Sequence, residues 1–227
     1  MNGLEVSDVS YSYGAKEALK NVSFKVPSGT FCALLGPNGA GKSTLFNLLT
    51  RLFTTPSGSI RIAGQDLKRT PREALSRLGI VFQQPTLDLD LSVNQNLSYF
   101  AALHGLSGLD ARNRINACLD QLDMLERADE KVRSLNGGHR RRTEIARALV
   151  PDPKVLLLDE PTVGLDAASR TMITEHVHAL AQQGTTVLWA THLTDEIWPE
   201  DYLVILHQEK VMEAGTARDV CGDTPLK

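Results

Sequence analysis

Nine consecutive residues, Gly36-Pro37-Asn38-Gly39-Ala40-Gly41-Lys42-Ser43-Thr44, have the types and spacing that hold a polyphosphate. They match the pattern G-x-x-x-x-G-K-[ST]. Glycines let backbone N–H groups approach phosphate oxygens with no Cβ in the way, and a helix N-terminus behind them adds partial positive charge. Lys42 would reach the β- and γ-phosphates, and Ser43 would offer its hydroxyl to Mg²⁺. The pattern means little without its flanks. Phe31-Cys32-Ala33-Leu34-Leu35 before it reads as a short buried strand, and Thr44 to Leu49 after it carries apolar residues at helical spacing. An ordinary glycine turn is the alternative, and these flanks weigh against it. The stretch is expected to bind a nucleoside triphosphate.

A second chemical feature is Lys154-Val155-Leu156-Leu157-Leu158-Asp159-Glu160, an apolar run closed by two carboxylates. Such runs belong to parallel strands buried on both faces, and ligands bind at the C-terminal ends of those strands. Asp159 is the expected Mg²⁺ partner. Glu160 points a different way from its neighbour and suits a base that polarises water. Two solvated acids at a strand end would be the plainer reading.

The remaining chain must position these groups. Alternating residues Leu4, Val6 and Val9, then Val22, Phe24 and Val26, predict antiparallel strands broken at Gly14. Tyr11 and Tyr13 precede that break, and either packs a sheet face or stacks on a base. Ser59–Gly64 and Leu78–Phe82 read as strands. From Gln84 to about Val150 the pattern turns helical, with apolar residues three and four apart over Leu91–Leu103 and Ile115–Leu125. A helix from about Ala167, a strand over Thr185–Ala190 ending at Thr191-His192, and a terminal strand pair complete the chain.

At 227 residues the chain can bury a sizeable core, and 42% apolar with 22% charged residues is a globular balance. A net charge of −3 argues against a general nucleic-acid binder. The Arg140-Arg141-Arg142 triplet is explained equally well by a helix surface. Cys32, Cys118 and Cys221 show no C-x-x-C spacing and fit buried thiols in a reducing compartment. Neither a signal segment nor an apolar run long enough to cross a bilayer is present, so a cytosolic protein is expected.

Leu135-Asn136-Gly137-Gly138-His139-Arg140, followed by Arg142-Thr143-Glu144-Ile145-Ala146-Arg147-Ala148-Leu149, resembles the signature of ATP-binding cassette (ABC) ATPases. The resemblance runs over the whole chain. Tyr13 looks like the adenine-stacking aromatic, and Gln83 like the glutamine joining the core to the helical region. Pro161 to Asp166 looks like the crossing loop, and His192 like the switch histidine.

The resemblance implies an α/β fold: a P-loop NTPase with a RecA-like core, an N-terminal antiparallel β subdomain and an inserted α-helical subdomain. Residues 1–227 would form one cassette, with 1–83 and 151–227 as core and 84–150 as the helical subdomain. ATP would contact Tyr13, the loop Gly36, Pro37, Asn38, Gly39, Ala40, Gly41, Lys42, Ser43 and Thr44, and also Asn136, Gly137, Gly138, His139 and Asp166. Mg²⁺ would be held by Ser43, Gln83 and Asp159. Catalysis would fall to Glu160, His192, Gln83 and Lys42.

Function follows from the same resemblance. The chain would be the ATP-hydrolysing subunit of a transporter, an exporter, energising a separate integral-membrane permease from the inner face of the cell membrane. A second copy would stack on it head to tail, with two ATP molecules between. More narrowly the sequence resembles cassettes found with bacterial quinoprotein alcohol oxidation systems. A clamp acting on ribosomes or DNA is the alternative, although such proteins usually carry two cassettes or a long coiled-coil insertion. Asn136 and His139 depart from the usual serine and glutamine. An anion near His139 would favour its protonated form, so that closure over ATP would take up a proton; the alternative is a ring that points to the ribose or to solvent and merely replaces a neutral glutamine. Glu209 stands where relatives often have glycine, in a turn expected to be functionally silent.

Overall fold

The computed structural model describes residues 2–221. Strands β1 (Asn2–Tyr13) and β2 (Lys16–Pro27) pair antiparallel about a turn in which Gly14 takes φ +61°. Their alternation places Leu4, Val6, Val9, Val22, Phe24 and Val26 in the core. Next come β3 (Phe31–Leu35), α1 (Lys42–Leu49), β4 (Ser59–Ile62), β5 (Gln65–Asp66), α2 (Pro71–Leu75) and β6 (Leu78–Val81). Helices α3 (Val93–Leu103), α4 (Gly108–Gln121) and α5 (Gly137–Leu149) follow, with short 3₁₀ turns between α4 and α5. The chain then runs through β7 (Val155–Asp159), α6 (Ala167–Gln182), β8 (Thr186–Thr191), β9 (Tyr202–His207), β10 (Lys210–Thr216) and α7 (Ala217–Cys221).

Two sheets result. One has the order β2-β1-β4-β5, and the other β10-β9-β3-β8-β7-β6. In the larger sheet every pairing is parallel except β9 with β10. The apolar run 155–158 is fully buried, as a two-sided parallel strand requires. Its residues alternate between two cores. Leu156 and Leu158 join the helical side, together with Val93, Leu97, Ile115, Leu119 and Ile145. Val155 and Leu157 join the other side, together with Leu4, Val22, Leu45 and Phe46.

Helix α4 starts seven residues before Ile115, the first apolar position of the predicted segment, and ends at Gln121 rather than Leu125. Its first turn leaves Leu109 exposed, so periodicity gives no sign of it. Asp123 then takes φ +51°, which stops helical continuation. Among the described residues, no helix is long and apolar enough to cross a membrane.

Candidate active site

Strand order decides what meets here. β8 lies between β3 and β7, with Leu35 beside Thr191 and Ala190 beside Asp159. The residues that leave these three strands, Gly36, His192 and Glu160, therefore emerge at one edge. Glu160 N–H donates to the Ala190 carbonyl at 2.9 Å, and Glu160 itself sits at φ +45°. That left-handed geometry costs energy in a non-glycine residue.

The loop between β3 and α1 folds as its glycines allow. Gly41 takes φ +108°, and a Cβ there would meet the Ala18 carbonyl oxygen at 2.6 Å. A Cβ on Gly36 would stand 2.4 Å from the Leu206 carbonyl oxygen. Gly39 has open space around it. Lys42, though buried, donates to the Gly36 carbonyl at 2.6 Å and lies 3.4 Å from Glu160 Oε1. His192 Nδ1 is 3.5 Å from the same oxygen. Burial, and then the Glu160 charge, raise the Asp159 carboxyl above its usual range, while Lys42 and Arg141 pull it down.

A cavity of about 450 Å³ opens over this edge. It is lined by Tyr13, Pro37, Asn38, Gly39, Gly41, Lys42, Ser43, Thr44, Gln83 and Glu160. Gly36 and Ala40 lie buried beneath the loop. Tyr13 packs edge-on against Tyr11 and Phe53, places its hydroxyl 3.4 Å from Thr44 Oγ1, and keeps 47% of its surface exposed. Part of the ring therefore packs against its neighbours, and the rest is open to the cavity.

Asn136, Gly137, Gly138, His139 and Asp166 do not line this cavity. Asn136 caps α5, its Oδ1 accepting from His139 N–H at 2.8 Å. A Cβ on Gly138 would lie 2.6 Å from Ser169 Oγ, so the signature loop packs tightly on the start of α6. Asp166 caps α6 through Ser169, and the Ser169 amide and hydroxyl hold its carboxyl below the usual range.

A protein-family model described as ABC transporter matches residues 19–163, which include the phosphate loop, Gln83, the signature and both carboxylates. This chain is an ATP-binding cassette of the ABC transporter family. It is 35% identical to the linearmycin resistance ATP-binding protein LnrL of Bacillus subtilis, over 99% of this chain and 74% of that protein. It is 40% identical to the Nod factor export ATP-binding protein I of Paraburkholderia xenovorans, over 85% of this chain and 64% of that protein. The cassette thus spans less than two thirds of the Nod factor relative. Among solved structures, cbiO1 from Clostridium perfringens, part of the transporter complex cbiONQ, superposes with a TM-score of 0.90 at 30% identity. That superposition covers 98% of the cassette and 91% of cbiO1.

One expectation needs correcting. The arginine triplet is no solvated helix face, because Arg141 and Arg142 are buried. Arg141 pairs with Glu144 at 2.8 Å and donates to the Phe82 and Gln83 carbonyls at 2.8 and 3.0 Å. Glu144 accepts from Thr86 N–H at 2.7 Å, so the pair holds the segment that carries Gln83. Arg142 donates to the Leu122 carbonyl at 3.0 Å. The turn at Glu209 adjoins the cavity. Gln208 and Glu209 take φ +46° and +64°, Glu209 lines the cavity, and its carbonyl accepts from Lys20 N–H at 2.8 Å. Lys16, Glu17 and Ala18 also line it without any motif to announce them.

Proposed function

We propose that this cassette hydrolyses ATP to energise export through a separate membrane permease, and that two copies close head to tail over two ATP molecules. The observation that carries this reading is a division of groups. Lys42, Ser43, Gln83 and Glu160 gather around one open cavity, while Asn136 to His139 of the same chain do not face it. A helix N-terminus that begins at Gly137-Gly138 is a ready anion site, so a second copy would supply it to the exposed side of the nucleotide. Closure would exclude water and assemble the site.

The residues present fit both ligands. Gly36 and Gly41 keep the loop close to its neighbours, and the open space around Gly39 leaves room for phosphate. Ser43 opens to the cavity with Gln83, and Asp159 stands at the adjoining strand end. Bound Mg²⁺ would neutralise phosphate charge as it develops. Lys42 would neutralise the β- and γ-phosphates, Glu160 would take the proton of the attacking water, and His192 would hydrogen-bond the γ-phosphate or that water.

We divide the cassette into a core of residues 1–83 and 151–227 and a helical subdomain of residues 84–150; Gln83 and the helical insertion from Gln84 to about Arg133 would carry the permease-docking surface. Docking would place the cassette at the inner face of the membrane. Export rests on the names of relatives that act in Nod factor export and in resistance to linearmycin. The clamp reading has no such support. The test is specific ATPase activity against protein concentration. It should rise over about a hundredfold range with ATP-dependent dimers by light scattering, since each nucleotide needs both chains. Constant specific activity with no dimer would overturn the paired site.

A further inference from the structure

Glu196 lies outside every motif that led to the site, in the short 3₁₀ turn Thr194–Glu196 after β8. Its surface is 3% exposed, unusual for a glutamate. Three donors converge on it. Thr162 Oγ1 bonds Oε1, Trp189 Nε1 donates to Oε2 at 3.0 Å, and Thr191 Oγ1 lies 2.6 Å from Oε2. Thr191 Oγ1 already accepts from Leu193 N–H at 3.0 Å, so its own proton is directed at Glu196. All three partners are neutral, and all are buried.

The partners sit in telling places. Thr162 is two residues after Glu160, on the loop that carries the proposed base. Thr191 and Leu193 flank His192. One carboxylate therefore ties the loop after β7 to the loop after β8, and the two ends of that tie are the segments bearing Glu160 and His192. The side chains meet only 3.5 Å apart, a separation that a small slip between the loops would change. Buried polar networks of this kind rigidify when every member is satisfied.

We propose that Glu196 is the positioning residue that holds the Glu160 loop and the His192 loop in register for ATP hydrolysis. The proposal rests on the hydrolytic reading of the site. Glu196 does not touch the nucleotide cavity, and it acts through Thr162 and Thr191. A purely structural carboxylate would instead support the core equally, whatever stands at position 192.

The test compares the parent chain, Glu196→Gln, His192→Ala and the double variant for ATP turnover and for ATP binding. The amide keeps the volume but turns a donor toward a donor, which breaks one side of the tie. Expected is a fall in kcat of about tenfold or more with the Kd for ATP within about twofold of the parent, and a further loss below about threefold on the His192→Ala background. Thr162→Val, which removes one donor at nearly constant shape, should show the same kcat-only loss and serves if Glu196→Gln fails to fold. Equal factors in both backgrounds, or ATP affinity falling in step with kcat, would overturn the positioning role alone. A parent chain that binds ATP but never turns it over would overturn the hydrolytic reading and this inference with it.

Discussion

His192 Nδ1 and Glu160 Oε1 stand 3.5 Å apart, and Lys42 Nζ lies 3.4 Å from the same oxygen. Glu160 is thus shared between a cation from the phosphate loop and an imidazole from the next strand end. Lys42 is also folded back on its own loop, bonded to the Gly36 carbonyl. A triphosphate in the cavity would compete for Lys42, and the Glu160 oxygen would then become free to accept from water. On the proposed roles of Lys42 and Glu160, ATP binding and activation of the base would be linked through one lysine.

Glu160→Gln should keep ATP affinity near that of the parent and trap a stable dimer, while Lys42→Ala should lose ATP binding. The amide is nearly isosteric but takes no proton, and removing Lys42 removes a phosphate-neutralising charge. Turnover of Glu160→Gln should fall by about a hundredfold or more, measured as phosphate release. Turnover at the parent rate would remove Glu160 from the role of base.

Tyr13→Ala should raise KM for ATP by about tenfold with little change in kcat, as expected for loss of one base-stacking face. Tyr13→Phe should behave as the parent, because the contact of its hydroxyl with Thr44 is long. If both variants match the parent, the exposed ring packs the sheet and does nothing more.

His139 makes stability depend on pH. Burial first, then the Arg127 and Arg142 cations, hold its imidazole below the ordinary value, with Glu130 opposing them. The unfolded chain then binds the proton more readily than the folded one, so stability falls as pH drops through the window between the ordinary value near 6.5 and the lowered one. Above that window His139 contributes no pH dependence. The melting temperature of His139→Gln relative to the parent should therefore increase between pH 7.5 and 5, by thermal melts at fixed ionic strength; a constant difference would exclude His139 as the source. ATP should act in the opposite direction, because a triphosphate favours the protonated ring. Dimers of Glu160→Gln should strengthen as pH falls, and should lose that slope in the His139→Gln background.

Glu144→Ala should destabilise the fold by about 3–5 kcal/mol, since it leaves the buried Arg141 guanidinium without its partner. Urea unfolding measures this directly. Replacing both partners together with apolar residues should cost less than either single change, because no uncompensated charge then remains. Additive losses would show that Arg141 and Glu144 act independently.

The sequence by itself determined the strands and helices whose periodicity is strong, the phosphate loop, and the paired carboxylates at the end of β7. Residues 154–160 suffice for that last feature, because an apolar run flanked by charges describes its own burial. Helix α4 was legible only from Ile115 onward, since its solvated first turn carries no apolar period. Asn136 and Asp166 entered through the family resemblance, and both are helix caps. What the tertiary structure decided was adjacency. Placing β8 between β3 and β7 brings Gly36, Glu160 and His192 to one edge, and no local pattern encodes that order. The burial of Arg141, Glu144 and Glu196, and the approach of Glu209 to the cavity, depend on segments tens of residues apart. A charged residue looks the same in sequence whether water or three buried donors surround it. Only packing distant segments together removes the water and makes its partners count.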